Sequence, residues 1–228
     1  MNILCTICAR KGSKGIKGKN LLKIKNKSLI FYTIDQAQKI KSINDIVIST
    51  DLKLSPKELK KRRLKVFFKR EKKLSNDKVG KVPVIRDALK RAEKYYNKQY
   101  EIIIDLDVTS PLRSLTDIKN AISKFINSKS NNLITLCESR KNPYFNMVEI
   151  IKKVPNLVIN SRKTIRRRQD APKIYDMNAS IYLWKRKFLM KSDNLFSKKT
   201  MYYLMPVNRS IDIDNINDFK LVKFYLKK

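Results

Sequence analysis

Histidine is absent from the 228 residues, glycine occurs four times, cysteine three times and tryptophan once. Without histidine, Ser-His-Asp and Cys-His nucleophiles are excluded, as is imidazole acid–base chemistry. Any catalysis therefore falls to carboxylates, lysines, arginines, hydroxyls or a bound metal. The cysteines, Cys5, Cys8 and Cys137, are odd in number and lie in apolar segments. Cys5 and Cys8 have CxxC spacing, but positions three apart on a strand face opposite sides. Neither a second pair nor a histidine exists to complete a zinc site, so buried free thiols are expected. No apolar run approaches the roughly 20 residues needed to span a bilayer. The opening stretch Met1–Arg10 lacks the basic lead of a signal peptide and runs into a Gly/Lys loop. It is expected to be the first strand of a cytoplasmic protein with no membrane partner.

Acidic residues are also scarce: 20 Asp and Glu face 53 Lys and Arg, a formal net charge of +33. Such a balance attracts polyanions, whether nucleotides, nucleic acid or acidic membrane surfaces. The lysines are spread along the whole chain, and Ile and Asn are abundant with them, as A+T-rich codons would give. Coding bias accounts for this better than selection for nucleic-acid binding. Arg166-Arg167-Arg168 is a short basic tract without interleaved aromatics, and a guanidinium contact to a carboxylate or phosphate explains it as well as RNA does.

Apolar residues make up 42% of the chain, enough for a core within a single α/β domain. Strands are expected at 2–9, 45–50, 64–68, 101–107, 133–137, 147–151, 180–184 and 201–206. Helices are expected at 28–40, 78–96, 115–128 and 217–226. The alternation predicts a largely parallel sheet. A short helix after Thr50 has Ser55 to cap it, Pro56 for its first turn and Glu58 to complete a capping box. Val82, Ile85, Leu89, Ala92 and Tyr96 keep helical spacing and predict a core-facing stripe. The stretch 138–173 is less regular and richer in Asn, Pro and Arg, as an inserted arm would be.

Scarcity makes the glycines informative, because Gly12, Gly15 and Gly18 fall within seven residues after the first strand. Glycine permits positive φ and close backbone approach, so such a loop can aim several amides at an anion. Arg10, Lys11, Lys14, Lys17 and Lys19 add cationic charge around it. A triphosphate suits that combination; a basic surface turn is the plainer alternative. The loop is neither a Walker motif, since Asn20 stands where Ser or Thr follows the lysine, nor a GxGxxG.

Two acidic constellations follow. Asp105-Leu106-Asp107-Val108-Thr109-Ser110-Pro111-Leu112-Arg113 comes directly after three isoleucines, at the C-terminal end of a buried strand, where open α/β sheets bind ligands. Ordinary Ser/Thr-Pro turn chemistry is the alternative there. In Ser210-Ile211-Asp212-Ile213-Asp214, the two carboxylates lie two apart and project to one side of an extended chain. Such a pair suits Mg²⁺, which takes one or two carboxylates plus substrate phosphates. Alternatively, Asp214 or Asn215 opens the final helix, with Asp218 supporting its N-terminus.

Taken in order, Ala9-Arg10-Lys11-Gly12-Ser13-Lys14-Gly15-Ile16 with Lys19-Asn20, Thr109-Ser110-Pro111-Leu112-Arg113, Asn178 with Ile181-Tyr182, and Asp212-Ile213-Asp214 with Asp218-Phe219 resemble one family. It is the acylneuraminate (CMP-sialic acid synthetase) family of cytidylyltransferases, which includes enzymes for legionaminic and pseudaminic acids. The resemblance spans nearly the whole chain. It implies an α/β, three-layer Rossmann-like mixed sheet of the nucleotide-diphospho-sugar transferase type, a single domain over 1–228. It also implies a homodimer, in which an arm, 138–173 here, closes the neighbour's sugar site. The implied reaction transfers CMP from CTP to the anomeric hydroxyl of a nonulosonic acid, with Mg²⁺ and release of pyrophosphate. Alternatives are a same-fold nucleotidyltransferase for another sugar, or a basic nucleic-acid-binding protein.

By the same resemblance, the first loop binds CTP through Arg10, Gly12, Ser13, Lys14, Gly15, Lys19 and Asn20. The family's ribose-contacting Arg-x-x-x-Leu-x-x-Asp matches Arg70, Leu74 and Asp77. Asp212 and Asp214 match the metal carboxylates, and Arg10, Lys19 and Asp107 join them as catalytic candidates. Asp107, Thr109, Ser110, Arg168, Gln169, Tyr175 and Asn178 are the sugar-site candidates. Asp107 precedes Val108 where the family often has Gln, Ala179 replaces the usual Gly after Asn178, and Asp176 stands where some sialic acid enzymes place Arg. These departures fall near the sugar rather than the nucleotide, and point to a legionaminate-type enzyme.

Overall fold

The computed structural model describes residues 1–12, 15–161 and 165–227. The chain runs from β1 (Ile3–Ala9) through a small hairpin, β2 (Lys23–Ile24) and β3 (Lys27–Ser28), into α1 (Leu29–Gln38), β4 (Asp45–Thr50) and α2 (Pro56–Lys61). It continues with α3 (Lys81–Tyr96), β5 (Ile102–Leu106), α4 (Leu115–Ile126) and β6 (Asn132–Glu138). A second hairpin, β7 (Val148–Ile151) and β8 (Val154–Leu157), precedes β9 (Tyr175–Lys185), α5 (Arg186–Lys191), β10 (Thr200–Leu204) and α6 (Ile216–Lys227).

Six strands form the central sheet in the order β10-β6-β9-β5-β1-β4. All neighbours are parallel except β9, which runs antiparallel between β5 and β6. The middle strands are apolar at almost every position because helices cover both faces. Along β1, Ile3, Cys5, Ile7 and Ala9 join the core under α1, α4 and α6. Leu4 and Cys8 face the other core, under α3 and α5. The result is three layers, with Cys5 and Cys8 on opposite sides of the sheet and all three cysteines free.

The amphipathic stripe expected on 78–96 forms the inner face of α3, where Val82, Ile85, Leu89 and Ala92 are buried. Ser55 caps α2 by accepting from the Glu58 amide at 3.4 Å. A reciprocal capping box of Ser114 and Asp117 starts α4, and Arg209 clamps the same Asp117 carboxylate at 2.8 and 3.0 Å.

Residues 64–68 do not form the expected strand. Their apolar side chains are satisfied without backbone pairing, Val66 against the core and Phe67 stacked on Tyr95 at 4.0 Å. The strand expected at 147–151 exists, but in the separate β7–β8 hairpin. No helix among the described residues is long and apolar enough to cross a membrane. Strand β9 is twice as long as its expected apolar stretch and carries a register shift opposite Ile134–Leu136. There Ala179 adopts φ 53°, a left-handed conformation that costs a non-glycine residue about 1 kcal/mol. This is the position where glycine is usual in the family that the sequence resembles.

Candidate active site

From β1 the chain adds β4 on one side and β5 on the other, so the edge between the C-terminal ends of β1 and β5 is a topological switch point. Backbones diverge there and leave a crevice. A cavity of about 420 Å³ occupies it, lined by the ends of both strands, the Gly/Lys loop, the start of α3 and the acidic segment before α6.

Arg10 follows β1 directly and pairs with Asp77. Asn20 is nearly buried and closes the loop, its amide donating to the Arg10 carbonyl at 3.0 Å. Gly18 takes φ 69° and starts the tight turn Lys19–Leu21. That turn sends the Lys19 ammonium to Asp214 Oδ1 at 3.0 Å. Gly15 lies against the same residue: a Cβ built on it would sit 2.0 Å from the Asp214 carbonyl oxygen. Arg70 lies in the cavity wall, held by Ser49 through Nε at 3.0 Å. Gly12 is on the outer side of the loop and lines a neighbouring cavity with Leu21, Leu52 and Phe68. Ser13 and Lys14 lie outside the described residues.

Asp212 and Asp214 both line the cavity. The two readings of their segment separate cleanly. Asn215 accepts from the amides of Asn217 and Asp218 at 2.9 and 3.1 Å, while Asp218 accepts from those of Asp214 and Asn215 at 2.9 Å each. Helix capping is therefore done by Asn215 and Asp218, and the Asp214 side chain is left for the cavity. The Ile213 amide donates to the Thr109 carbonyl at 3.0 Å, tying this segment to the turn after β5.

Asp212 Oδ1 is buried without a hydrogen-bond partner among the described residues. Burial, then the like charge of Asp107, push its carboxyl up to about 6; Asp214 adds to the rise, and a Thr109 hydrogen bond and Lys19 work against it. Among the described residues no group of three metal-ligating side chains forms. A pair of carboxylates with one orphaned, charge-crowded oxygen fits Mg²⁺, which completes its shell with water and phosphate.

A second cavity, of about 720 Å³, opens on the same strand-end edge beside β6, β9 and β10. Arg168, Gln169 and Tyr175 line it. Arg168 is held by the carbonyls of Ser139 and Arg140 at 3.3 and 3.0 Å. The neighbouring Arg167 turns instead to Asp170, at 3.0 and 3.1 Å.

A family model described as cytidylyltransferase matches residues 4–227. The chain belongs to the cytidylyltransferase family. Among similar proteins, the CMP-N,N'-diacetyllegionaminic acid synthase of Campylobacter jejuni is 48% identical over 98% of this chain and 94% of its own length. The post-translational flagellin modification protein B of Campylobacter coli is 46% identical over 99% and 95%. A solved structure of CMP:2-keto-3-deoxy-manno-octonic acid synthetase complexed with CTP superposes with a TM-score of 0.68 over 100% of this chain and 99% of its own, at 14% identity. That last likeness speaks for the fold.

Some candidate residues of this cytidylyltransferase sit away from both cavities. Ser110 is completely buried. Asn178 is also buried, its amide donating to Ser210 Oγ at 2.9 Å and its carbonyl accepting from the Ser180 amide at 3.2 Å. It thereby fastens β9 to the segment that carries Asp212. Arg113, the last residue of the constellation expected at the ligand-binding edge, turns inward to the Ser180 carbonyl at 3.0 Å and Thr33 Oγ1 at 2.7 Å. Burial pushes its guanidinium down to about 10. Its structural role follows from position: the turn after β5 directs Thr109 outward and Arg113 into the core.

Lys81 escaped the sequence reading. It opens α3 directly after Gly80, and its ammonium reaches Asp107 Oδ2 at 2.6 Å and Asp105 Oδ2 at 3.2 Å. The available signal was Gly80 itself, the fourth of four glycines, which lines the same cavity. Asp107 accepts further hydrogen bonds from Thr109, through its amide at 3.0 Å and its hydroxyl at 2.8 Å. Burial opposes the Asp107 charge, but Lys81 and then Thr109 outweigh it and hold the carboxyl well below the usual range.

Proposed function

We propose that the enzyme transfers CMP from CTP to the anomeric hydroxyl of a nonulosonic acid, most akin to legionaminic acid, and releases pyrophosphate. The convergence of the Gly/Lys loop and the Asp212–Asp214 segment on one cavity carries this reading. The near-full-length similarity to a CMP-N,N'-diacetyllegionaminic acid synthase supports the choice of acceptor.

Arg10 and Lys19 are paired with Asp77 and Asp214 in the free protein. A triphosphate offers both cations a stronger, multiply charged partner. Losing Lys19 to phosphate would free Asp214, and Asp212 and Asp214 would then be the residues that hold Mg²⁺. Bound there, the ion would neutralise phosphate charge and polarise the reacting phosphorus. Arg70 is the candidate ribose contact. In the second cavity, Arg168 would clamp the acceptor's carboxylate bidentately, beside Gln169 and Tyr175.

In the reaction the anomeric hydroxyl oxygen forms a bond to the α-phosphorus and releases its proton to solvent water. The bond from that phosphorus to the bridging oxygen breaks, and its electron pair leaves with pyrophosphate. Asp107, saturated by Lys81 and Thr109 and weakly basic, is suited to accept a hydrogen bond from the acceptor rather than to remove its proton. A panel of CTP with candidate sugars, scored by pyrophosphate release, tests the assignment. Asp212→Asn should lower release at least 100-fold in a folded protein, and near-normal turnover defeats the metal assignment.

The reading includes a homodimer. The β7–β8 hairpin exposes Val148, Ile150, Ile151 and Val154, each between 49% and 67% accessible. Val148 and Ile150 share one side of the hairpin, and the paired Ile151 and Val154 share the other; apolar side chains exposed on both sides are suited to cover by a second copy of the chain. The double variant Ile150→Asp/Val154→Asp should elute as a monomer on size-exclusion chromatography with light scattering; an unchanged mass would remove the hairpin from the interface. The three free thiols suit a reducing cytoplasm, the compartment this reading assigns.

A further inference from the structure

Four carboxylates in or beside the active-site cavity are paired with cations, in two ways. Lys19 and Arg10 hold Asp214 and Asp77, whose side chains are 75% and 42% exposed, so those pairs can open to a ligand at little cost. Lys81 holds Asp107 and Asp105, whose side chains are only 20% and 1% exposed. Opening that pair would strand buried charge. Lys81 also defies local preference, since a cation in the first turn of a helix meets the positive end of its dipole. No side chain caps α3, and its first turn contains no acid. A residue at odds with its helix needs a compensating role. Its surroundings supply one: two carboxylate oxygens at 2.6 and 3.2 Å, and the Tyr182 ring with its centroid at 4.7 Å. Two carboxylates converging on one cation are also the makings of a divalent-metal site.

We infer that Lys81 is a built-in cation occupying what would otherwise be a second metal position between Asp105 and Asp107, so that the active site takes one exchangeable metal ion rather than two. The inference rests on the metal assignment of Asp212 and Asp214, and deepens it. In two-metal transferases a second ion flanks the reacting phosphate; here a lysine that cannot dissociate would supply that charge. Lys81 would also keep Asp107 fixed as a hydrogen-bond acceptor, which makes it a positioning residue for the acceptor side of the reaction.

The test is Mn²⁺ binding, followed by electron paramagnetic resonance on the purified full-length protein without nucleotide. Lys81→Ala should gain a Mn²⁺ site at least tenfold tighter than any in the wild type, and adding Asp107→Asn should abolish the gain. Lys81→Arg, which keeps the charge, should gain nothing. Mn²⁺ should also raise the melting temperature of Lys81→Ala at concentrations that leave the wild type unmoved, a readout that works even if the variant is only marginally folded. Lys81→Gln is the second variant, with the same expectation. Failure of both neutral variants to bind Mn²⁺ more tightly than wild type overturns the inference. Pyrophosphate release by the wild type from CTP and acceptor tests the underlying reading separately, so the two failures are distinguishable.

Discussion

Replacing Gly15 by alanine adds one carbon at the point where the nucleotide loop meets the acidic segment. That carbon would lie 2.0 Å from the carbonyl oxygen of Asp214 and 3.2 Å from its carbonyl carbon. Comfortable contact needs about 3.5 Å, so loop and segment must separate by more than about 1 Å. The atom struck is backbone, so no rotamer change relieves the clash. The displacement falls between Lys19 on one side and Asp212 and Asp214 on the other, the groups proposed to hold phosphate and metal. Misplacing a reacting constellation by about 1 Å costs on the order of 100-fold in rate, near 2.7 kcal/mol of transition-state stabilisation. Gly15 is exposed, so the fold itself should lose no more than about 1 kcal/mol. The assay is kcat/KM for CTP by pyrophosphate release, alongside a thermal melt. Gly12→Ala is the internal control, because its added carbon meets nothing within 4 Å, and it should stay within about threefold of wild type. Gly15→Ala within threefold of wild type at an unchanged Tm would refute the coupling, as would equal losses in both variants.

Asp212→Asn should not destabilise the free protein. Its carboxyl is pushed up to about 6 from 3.8, so its contribution to stability falls as pH rises through that interval. In metal-free buffer at pH 8 the variant should melt at or above the wild-type temperature, while a lower Tm would mean that the carboxylate supports the fold. Arg209→Ala removes the clamp on Asp117, a fully buried carboxylate, and should cost about 1–2 kcal/mol after allowing for the partial exposure of Arg209. Burial opposes the Asp117 charge, but Arg209 and Ser114 hold its carboxyl below the ordinary 3.8. The stabilisation is therefore present above that pH and lost as pH falls below it. In urea titrations the gap between variant and wild type should narrow from pH 7 to pH 3; a constant gap would assign the loss to packing alone.

Much of the fold was legible because its signals are local. The apolar runs 3–9 and 102–106 have no polar face, which only a sheet covered on both sides accommodates. The stripe on α3 repeats at helical period. Residues 64–68 misled because an apolar run guarantees burial but not a pairing partner, and here aromatic packing supplied the burial. In the site, the glycine loop and the acidic pair were legible because scarce residue types were concentrated there. Lys81 was not, since one lysine among so many gives no compositional signal, and its partners lie about two dozen residues away. Arg113 was misread for a geometric reason. A turn directs its residues both ways, and composition does not say which side chain goes inward.

The direction of β9 has a consequence for how this scaffold can diversify. Had that strand run with its neighbours, the connection from β6 would have had to travel back to the opposite rim of the sheet before re-entering it. Reversed, it begins at Tyr175 beside the end of β6 at Glu138, so the excursion between them departs and returns at the ligand-binding rim. Insertions, deletions and new side chains there redraw the mouth of the cavity lined by Arg168, Gln169 and Tyr175, the proposed acceptor pocket, without rethreading a single core strand. The hydrophobic layers and the proposed phosphate-binding loop can stay constant while that pocket changes shape.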